Sequence, residues 1–238
     1  MTSRMPFSIH SFLRHGRHVH DEPQFHVHGN TKKYDRMPHI SLHEPKDIAV
    51  SLAIAMQERQ SFPDDRGTDL KDLTIDDLSD LFGHTLRAKP NGTRPYPSGG
   101  GLYPIETYFV GSLEGTPAAQ VYHYDPTEHT LADLWPLSED VTMEKIFPIA
   151  QSVAPACIVF TGMWGRNGAR YGDFGYYLGI LEAGHMAQNI SLAAAALDMG
   201  IRPMGGFDDV VVSKLLDIDE NLEQVVYVLM IGKNPDET

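Results

Sequence analysis

An α+β fold is predicted by three features of the chain. Runs rich in β-branched and aromatic residues recur at 105–110, 120–124, 157–161 and 225–231. Helical periodicities fall between them without the strict strand–helix alternation of a parallel α/β sheet. One helical signal, 174–199, is longer than the others and apolar on most sides, which implies burial. The expected architecture is a mixed central sheet flanked by helices.

The first 43 residues are read as a separate arm, with 44–238 as the folded domain. Eight of the 12 histidines lie in the arm, at His10, His15, His18, His20, His26, His28, His39 and His43, with Pro and Gly between them. Their spacing carries no Cys and no clear helical i, i+4 pair, so no metal is assigned. A first helix is predicted over 45–60, with Pro45 early enough for its missing N–H to be harmless and Ile48, Leu52, Ile54 and Ala55 as its apolar residues. Thr74 with Asp77 three residues on resembles a capping box and opens a helix over 75–83 whose Leu78, Leu81 and Phe82 face the core. Asp125-Pro-Thr, between residues 120–124 and His129-Thr-Leu-Ala, reads as a hairpin turn. A helix is expected over 140–150. The long helix ends at Gly200, a short helix covers 208–216, and 225–231 is a terminal strand.

Composition narrows the function. The formal net charge of −13, with no dense basic stripe, disfavours nucleic acid and anionic membrane surfaces as partners. No run of eighteen apolar residues appears, so no membrane span is expected, and the N-terminus lacks the apolar core of a signal peptide. A cytoplasmic protein is expected. The single cysteine, Cys157, lies in an apolar run and is read as a buried structural thiol. Glu182, His185, Gln188 and Asn189 on the long helix need hydrogen-bond partners if that helix is buried.

Chemistry points to two glycine-bearing turns. Pro97, Ser98, Gly99 and Gly100 stand in Arg94-Pro-Tyr-Pro-Ser-Gly-Gly-Gly101 between a helix and a strand, where glycines let backbone approach a bulky ligand and present N–H groups. Met204, Gly205 and Gly206 stand in Pro203-Met-Gly-Gly-Phe-Asp208, straight after the long helix. Either tract alone is an ordinary turn, but two of them could face one flat ligand. Arg59, Gln60 and Ser61 add a cation and short polar groups suited to a phosphate. Arg94 and Lys233 are further candidate anion partners.

These residues, in this order, resemble the nitroreductase superfamily over most of the chain from about residue 47. That resemblance implies a nitroreductase-like three-layer α-β-α fold with the long buried helix at a dimer interface. The longer pattern from Arg94 to Glu106, with Arg170-Tyr-Gly-Asp-Phe-Gly-Tyr176 and Leu181-Glu-Ala-Gly-His-Met-Ala-Gln-Asn189, is similar to the SagB-type dehydrogenases. It implies flavin mononucleotide (FMN) bound at a homodimer interface. Arg59 and Ser61 would meet the phosphate and ribityl chain, residues 97–100 would run along the cofactor, and Gly205 and Gly206 would lie near the flavin edge. Azoline-oxidising members aromatise thiazolines or oxazolines in modified peptides, with a cyclodehydratase as partner. Those enzymes carry a Lys-Tyr pair where this chain has Arg170 and Tyr171, the candidate catalytic residues. Arginine stays protonated and is a poor base, which leaves Tyr171 to move a proton or to serve as a buried aromatic anchor. Alternatives that stay open are an NAD(P)H-dependent nitro or quinone reductase, a non-catalytic flavin-binding subunit of a peptide-modifying complex, and a metal-binding arm on an inert domain.

Overall fold

Apolar side chains at alternate positions of a strand must be covered on both sides of a sheet. A computed structural model, describing residues 31–138 and 140–235, shows how this chain does so. Seven strands are ordered β1-β4-β3-β2-β5-β7-β6. They are β1 (His39–Ser41), β2 (Ile105–Gly111), β3 (Gln120–Asp125), β4 (Thr130–Pro136), β5 (Ala156–Met163), β6 (Met199–Met204) and β7 (Glu223–Lys233). Every neighbouring pair is antiparallel, so the sheet is not mixed as expected. The connections from β2 to β5 and from β5 through a long helix to β6 insert each strand against one running the opposite way.

Helices cover both faces: α1 (Leu52–Glu58), α2 (Ile75–Thr85), α3 (Met143–Ile146), α4 (Gly165–Tyr171), α5 (Phe174–Ala196) and α6 (Asp209–Leu215). Period-2 alternation divides the core. Phe109, Ile158, Phe160, Leu229 and Ile231 face α2 and α5, together with Leu78, Leu81, Phe82, Met186 and Ile190. Tyr108, Val110, Cys157, Val159, Val228 and Met230 face α3 and α6, together with Ile146, Val212 and Leu215. The three-layer arrangement agrees with expectation. Cys157 is free and fully buried, and burial pushes its thiol well above the ordinary range.

Local chemistry accounts for the elements and for the departures. Thr74 and Asp77 form the capping box of α2, with Asp77 N–H donating to Thr74 Oγ1 at 3.0 Å and Thr74 N–H donating to Asp77 Oδ2 at 2.8 Å. The helix expected over 45–60 is confined to α1. Residues 44–46 instead strap onto α2: Lys46 N–H donates to Asp80 (2.8 Å), His84 Nε2 meets Lys46 O (2.7 Å) and Arg87 pairs with Glu44. Ser51 then caps α1 through Ile54 N–H. The helix expected over 140–150 shrinks to α3, because Pro148 removes a donor and its ring opposes continuation. Strand β6 was unforeseen, since Gly200 and Pro203 argue against a strand interior. It lies at the sheet edge, where proline is tolerated.

The long helix, α5, is buried along one stripe, from Gly175 and Gly179 through Glu182 and Met186 to Ile190 and Ala194. Within the single chain the opposite face of the helix is left uncovered. Tyr176 (49%), Ile180 (37%) and Leu181 (43%) are exposed, as are His185 and Gln188, which need no protein partner. In α1 only Ala55 is buried, and Leu52, Ile54 and Met56 face outward. Six of the arm's histidines lie outside the described residues. His39 Nε2 meets Tyr34 O, and His43 Nδ1 meets Glu44 O.

A buried ionic cluster joins β2, β3, β5, β7, α4 and the end of the arm. Glu106, 2% exposed, bonds His123 Nε2 (2.8 Å), Arg166 and the Lys32 N–H (2.8 Å). Lys32 Nζ donates to Tyr108 (2.9 Å) and Glu223 (2.8 Å), and Glu223 also accepts from Tyr108 (2.9 Å) and Thr161 (2.5 Å). Burial acts to raise the Glu106 carboxyl, but His123, Arg166 and the Lys32 N–H overcome it and lower it to about 2. A folded carboxylate held below its free value stabilises the protein above the free value, and that contribution is lost as pH falls from about 4.5 toward 2. Glu106→Gln leaves Arg166 poorly paired and is expected to cost about 3 to 5 kcal/mol. Chemical denaturation at pH 7 measures this, and the gap from the parent should narrow on acidification.

Candidate active site

The tract 94–101 is laid along α5 by contacts on one face of that helix. Asn189 Nδ2 donates to Pro95 O (3.0 Å), Glu182 stands beside Ser98, and Leu178 lies against Gly99, where a Cβ would come 2.8 Å from Leu178 Cδ1. Ser98 Oγ accepts the Tyr103 N–H (2.9 Å), and Gly99–Gly101 forms a 3₁₀ turn. Gly100 has φ of +64°, and a Cβ there would lie 2.6 Å from the Tyr171 hydroxyl and 3.1 Å from Arg170 Nη1. The residues expected to be catalytic are thus pressed against the glycine tract. Gly101, φ +68°, has nothing within 4 Å of an added Cβ.

Helix α4 presents Arg170 and Tyr171 at its C-terminal end. It is anchored by the Arg166–Glu106 pair, by Arg166 Nη1 donating to Tyr103 O (3.2 Å), and by Asn167 Nδ2 donating to Gly175 O (2.7 Å). The Arg170 guanidinium lies 5.4 Å from the Tyr171 ring centre. On the outer side of the tract a cleft of about 1110 Å³ is bordered by Gly100, Gly101, Arg87 and Lys89.

A second group forms where α1 meets β6. Phe62 N–H donates to Ile201 O (3.2 Å), Arg202 Nη1 donates to Phe62 O (2.9 Å), and Arg202 also pairs with Asp64 (3.3 Å). These bonds hold Arg59-Gln60-Ser61 beside the strand that leads into Met204-Gly205-Gly206. Gln60 and Ser61 are exposed, and a Cβ on Gly205 would meet nothing within 4 Å, whereas Gly206 abuts Ile149. Asp208 closes the turn by capping α6 through Val211 N–H (3.0 Å).

The arginines divide by whether they are already paired. Arg94 is buried, donates to Tyr96 Oη (3.0 Å) and Thr31 Oγ1 (3.2 Å), and stacks 4.5 Å from the Tyr103 ring centre. Its guanidinium braces the tract. Lys233 pairs with Asp77 (3.2 Å). The half-buried Arg59 guanidinium makes no hydrogen bond or ion pair with any described residue, which leaves it available to an anion. Open backbone at Gly101 and Gly205 with an unpaired Arg59 fits a planar, phosphate-bearing cofactor. Sequence reasoning missed Lys32, Arg166 and Glu223. Glu106 and His123 left a signal, as charged or polar positions inside otherwise apolar strand runs.

Residues 65–233 match the family model described as nitroreductase family. The chain belongs to the nitroreductase family. Members are flavoproteins, and the chain is accordingly an oxidoreductase. It is 32% identical over 158 residues to a nitroreductase-like protein of Methanocaldococcus jannaschii, covering 62% of this chain and 76% of that one. It is 27% identical over 176 residues to the microcin B17-processing protein McbC of Escherichia coli, covering 69% of this chain and just 64% of McbC. A chain of the E. coli microcin synthetase McbBCD complex, solved with truncated pro-MccB17 bound, shares the fold with a TM-score of 0.66 at 22% identity. That likeness spans 97% of this chain and 93% of the other. Among the described residues no group of three or more His, Cys, Asp or Glu is placed to hold a metal, and no helix is long and apolar enough to cross a membrane.

Gly100→Ala forces a left-handed residue with a Cβ into the Tyr171 hydroxyl. Strain of about 1 to 2 kcal/mol is expected from the backbone alone, read as a lower midpoint in denaturant. A midpoint matching the parent would show that the tract does not press on Tyr171.

Proposed function

We propose that this nitroreductase-family protein is an FMN-dependent dehydrogenase of the SagB type, oxidising a ring or C–N bond in a modified peptide or small metabolite. The observation that carries the reading is the packing of Tyr171 and Arg170 against Gly100. It supports a substrate-facing role for the pair that matches the Lys-Tyr of azoline oxidases. The likeness to McbC supports a peptide substrate, and the McbBCD neighbour supports a cyclodehydratase partner.

FMN supplies a two-electron hydride acceptor at N5 when bound. Around it, Arg59 would neutralise the phosphate, Ser61 and Gln60 would bond the ribityl end, and backbone N–H groups at Gly205 and Gly206 would face the flavin edge. Conversion of an azoline to an azole loses one hydride and one proton. Tyr171 is the group assigned to that proton, while Arg170 stays charged and orients the substrate or holds developing negative charge.

Strand β2, which follows the first turn, and strand β6, which leads into the second, lie three strand spacings apart in the sheet, about 14 Å. We read the two residue groups as halves of two composite sites in a homodimer. The exposed Tyr176, Ile180 and Leu181 of α5 and Leu52, Ile54 and Met56 of α1 support such a pairing.

The purified protein should be yellow and release FMN on heating, and a protein that stays colourless after incubation with FMN overturns the reading. Arg59→Ala should weaken FMN binding by about 10- to 100-fold, the loss of one charge-assisted contact of about 1.5 to 3 kcal/mol. Equilibrium titration measures it, and unchanged affinity removes Arg59 from the site. Stopped-flow mixing with NAD(P)H decides the direction of electron flow. Slow bleaching is expected of a dehydrogenase, and rapid bleaching with turnover of nitro compounds or quinones identifies a reductase. Turnover of an azoline peptide excludes a non-catalytic subunit.

A further inference from the structure

Glu182 is the buried acid that neither the core nor the proposed chemistry uses. It is 1% exposed, on the stripe of α5 that faces the sheet, and neither carboxylate oxygen completes a hydrogen bond. Leaving a charged carboxylate so placed is costly, because burial disfavours the ionised form unless partners replace water. The groups that face it are Arg94, Tyr96 and the Ser98 hydroxyl from the glycine tract, the Ile105 N–H from β2, and Arg166 from α4, which itself pairs with Glu106. The two arginines favour the anion, but each is already committed, Arg94 to Tyr96 and Thr31, and Arg166 to Glu106 and Tyr103 O. Burial prevails over them and over the Ser98 and Ile105 donors, raising the carboxyl to about 7.

Its position explains what such a group does. Leu178 touches Gly99 and Asn189 holds Pro95, so the acid lies between two contacts of α5 with the tract, buried and bonded to nothing. Those two are an apolar contact and a neutral hydrogen bond, neither of which responds to pH. We propose that Glu182 is a positioning residue: the Ser98–Gly101 turn packs on α5 over its buried, unpaired carboxyl group and loosens when that group must be hydrated. On the functional reading above, that turn borders the cofactor, so Glu182 would tune flavin binding with pH without touching the reacting atoms.

The first test uses protein without flavin and compares melting temperatures of the parent and Glu182→Gln from pH 4.5 to 8. A folded carboxyl raised above its free value stabilises below the free value, and that contribution is lost as pH rises toward the folded value. The parent should therefore lose ground to the variant between about pH 4.5 and 7, by roughly 5 to 10 °C, and hold a constant gap above. A gap that is flat throughout overturns the proposal. In the same samples, amide exchange of residues 98–103, corrected for intrinsic rates, should quicken above pH 7 in the parent and not in the variant. Equal exchange overturns the positioning role even if the melting curves behave as expected. Should Glu182→Gln fail to fold, Glu182→Met, of similar length without a polar head, carries the same comparison. Flavin titration is the separate arm. FMN affinity should fall above pH 7 in the parent alone, by at most about tenfold per pH unit, and affinity that tracks pH equally in both proteins overturns the role. Absence of any FMN binding defeats the functional reading and leaves the two flavin-free measurements to decide on Glu182.

Discussion

The Glu106 carboxylate is the constraint on which the site depends. It sits at the start of β2, directly after the glycine tract, and binds His123 of β3, Arg166 of α4 and the backbone of Lys32 at the end of the arm. A carboxylate desolvated to this degree is stable only when every partner is in place. The four segments are therefore fixed relative to one another by a single group. Because Arg166 and Tyr171 share a seven-residue helix, fixing one end of that helix aims the other. The Tyr171 hydroxyl comes against Gly100 without any direct bond to it, as a consequence of where Glu106 holds Arg166.

This division of labour also sorts the cations. Arg94, Arg166 and Arg202 are consumed in bracing backbone carbonyls, hydroxyls and carboxylates. Each would otherwise be a credible anion receptor, and their pairing is what removes them from that role. Among the described residues, Arg59 and Arg170 make no hydrogen bond or ion pair; Arg59 is half-buried and Arg170 exposed. In a chain of net charge −13, an unpaired guanidinium held half-buried has lost hydration without gaining a partner, which is tolerable where an anionic ligand completes it.

Much of this was legible in the sequence where the signal is local. The Thr74–Asp77 capping box, the four strand runs and the short helix over 208–216 depend on neighbours within a few residues, and they appear where expected. What failed depended on distant partners. Residues 45–50 have helical periodicity, yet Asp80 and His84 of α2 take the backbone groups of Lys46 that a helix would have used. The Gly200–Pro203 segment has the composition of a turn, and only its edge position lets it pair with β7 as a strand. The same limit applies to the site. The residue types at 59–61, 97–100 and 204–206 were readable as a candidate ligand set. That Arg94 would be spent on Tyr96 and Thr31 was not, because Thr31 is 63 residues away.

The geometry also bears on why cofactor and reaction are supported to different depths. A flavin site needs open backbone and a cation, and on the proposed reading Gly101, Gly205 and Arg59 would supply these. The reaction depends on one proton-accepting group, and the substitution of arginine for lysine removes a titratable amine from that place. Arg170 lies 5.4 Å from the Tyr171 ring centre. On the proposed reading, the chemical burden passes from the first member of the pair to the second, and Tyr171 becomes the residue on which dehydrogenation turns.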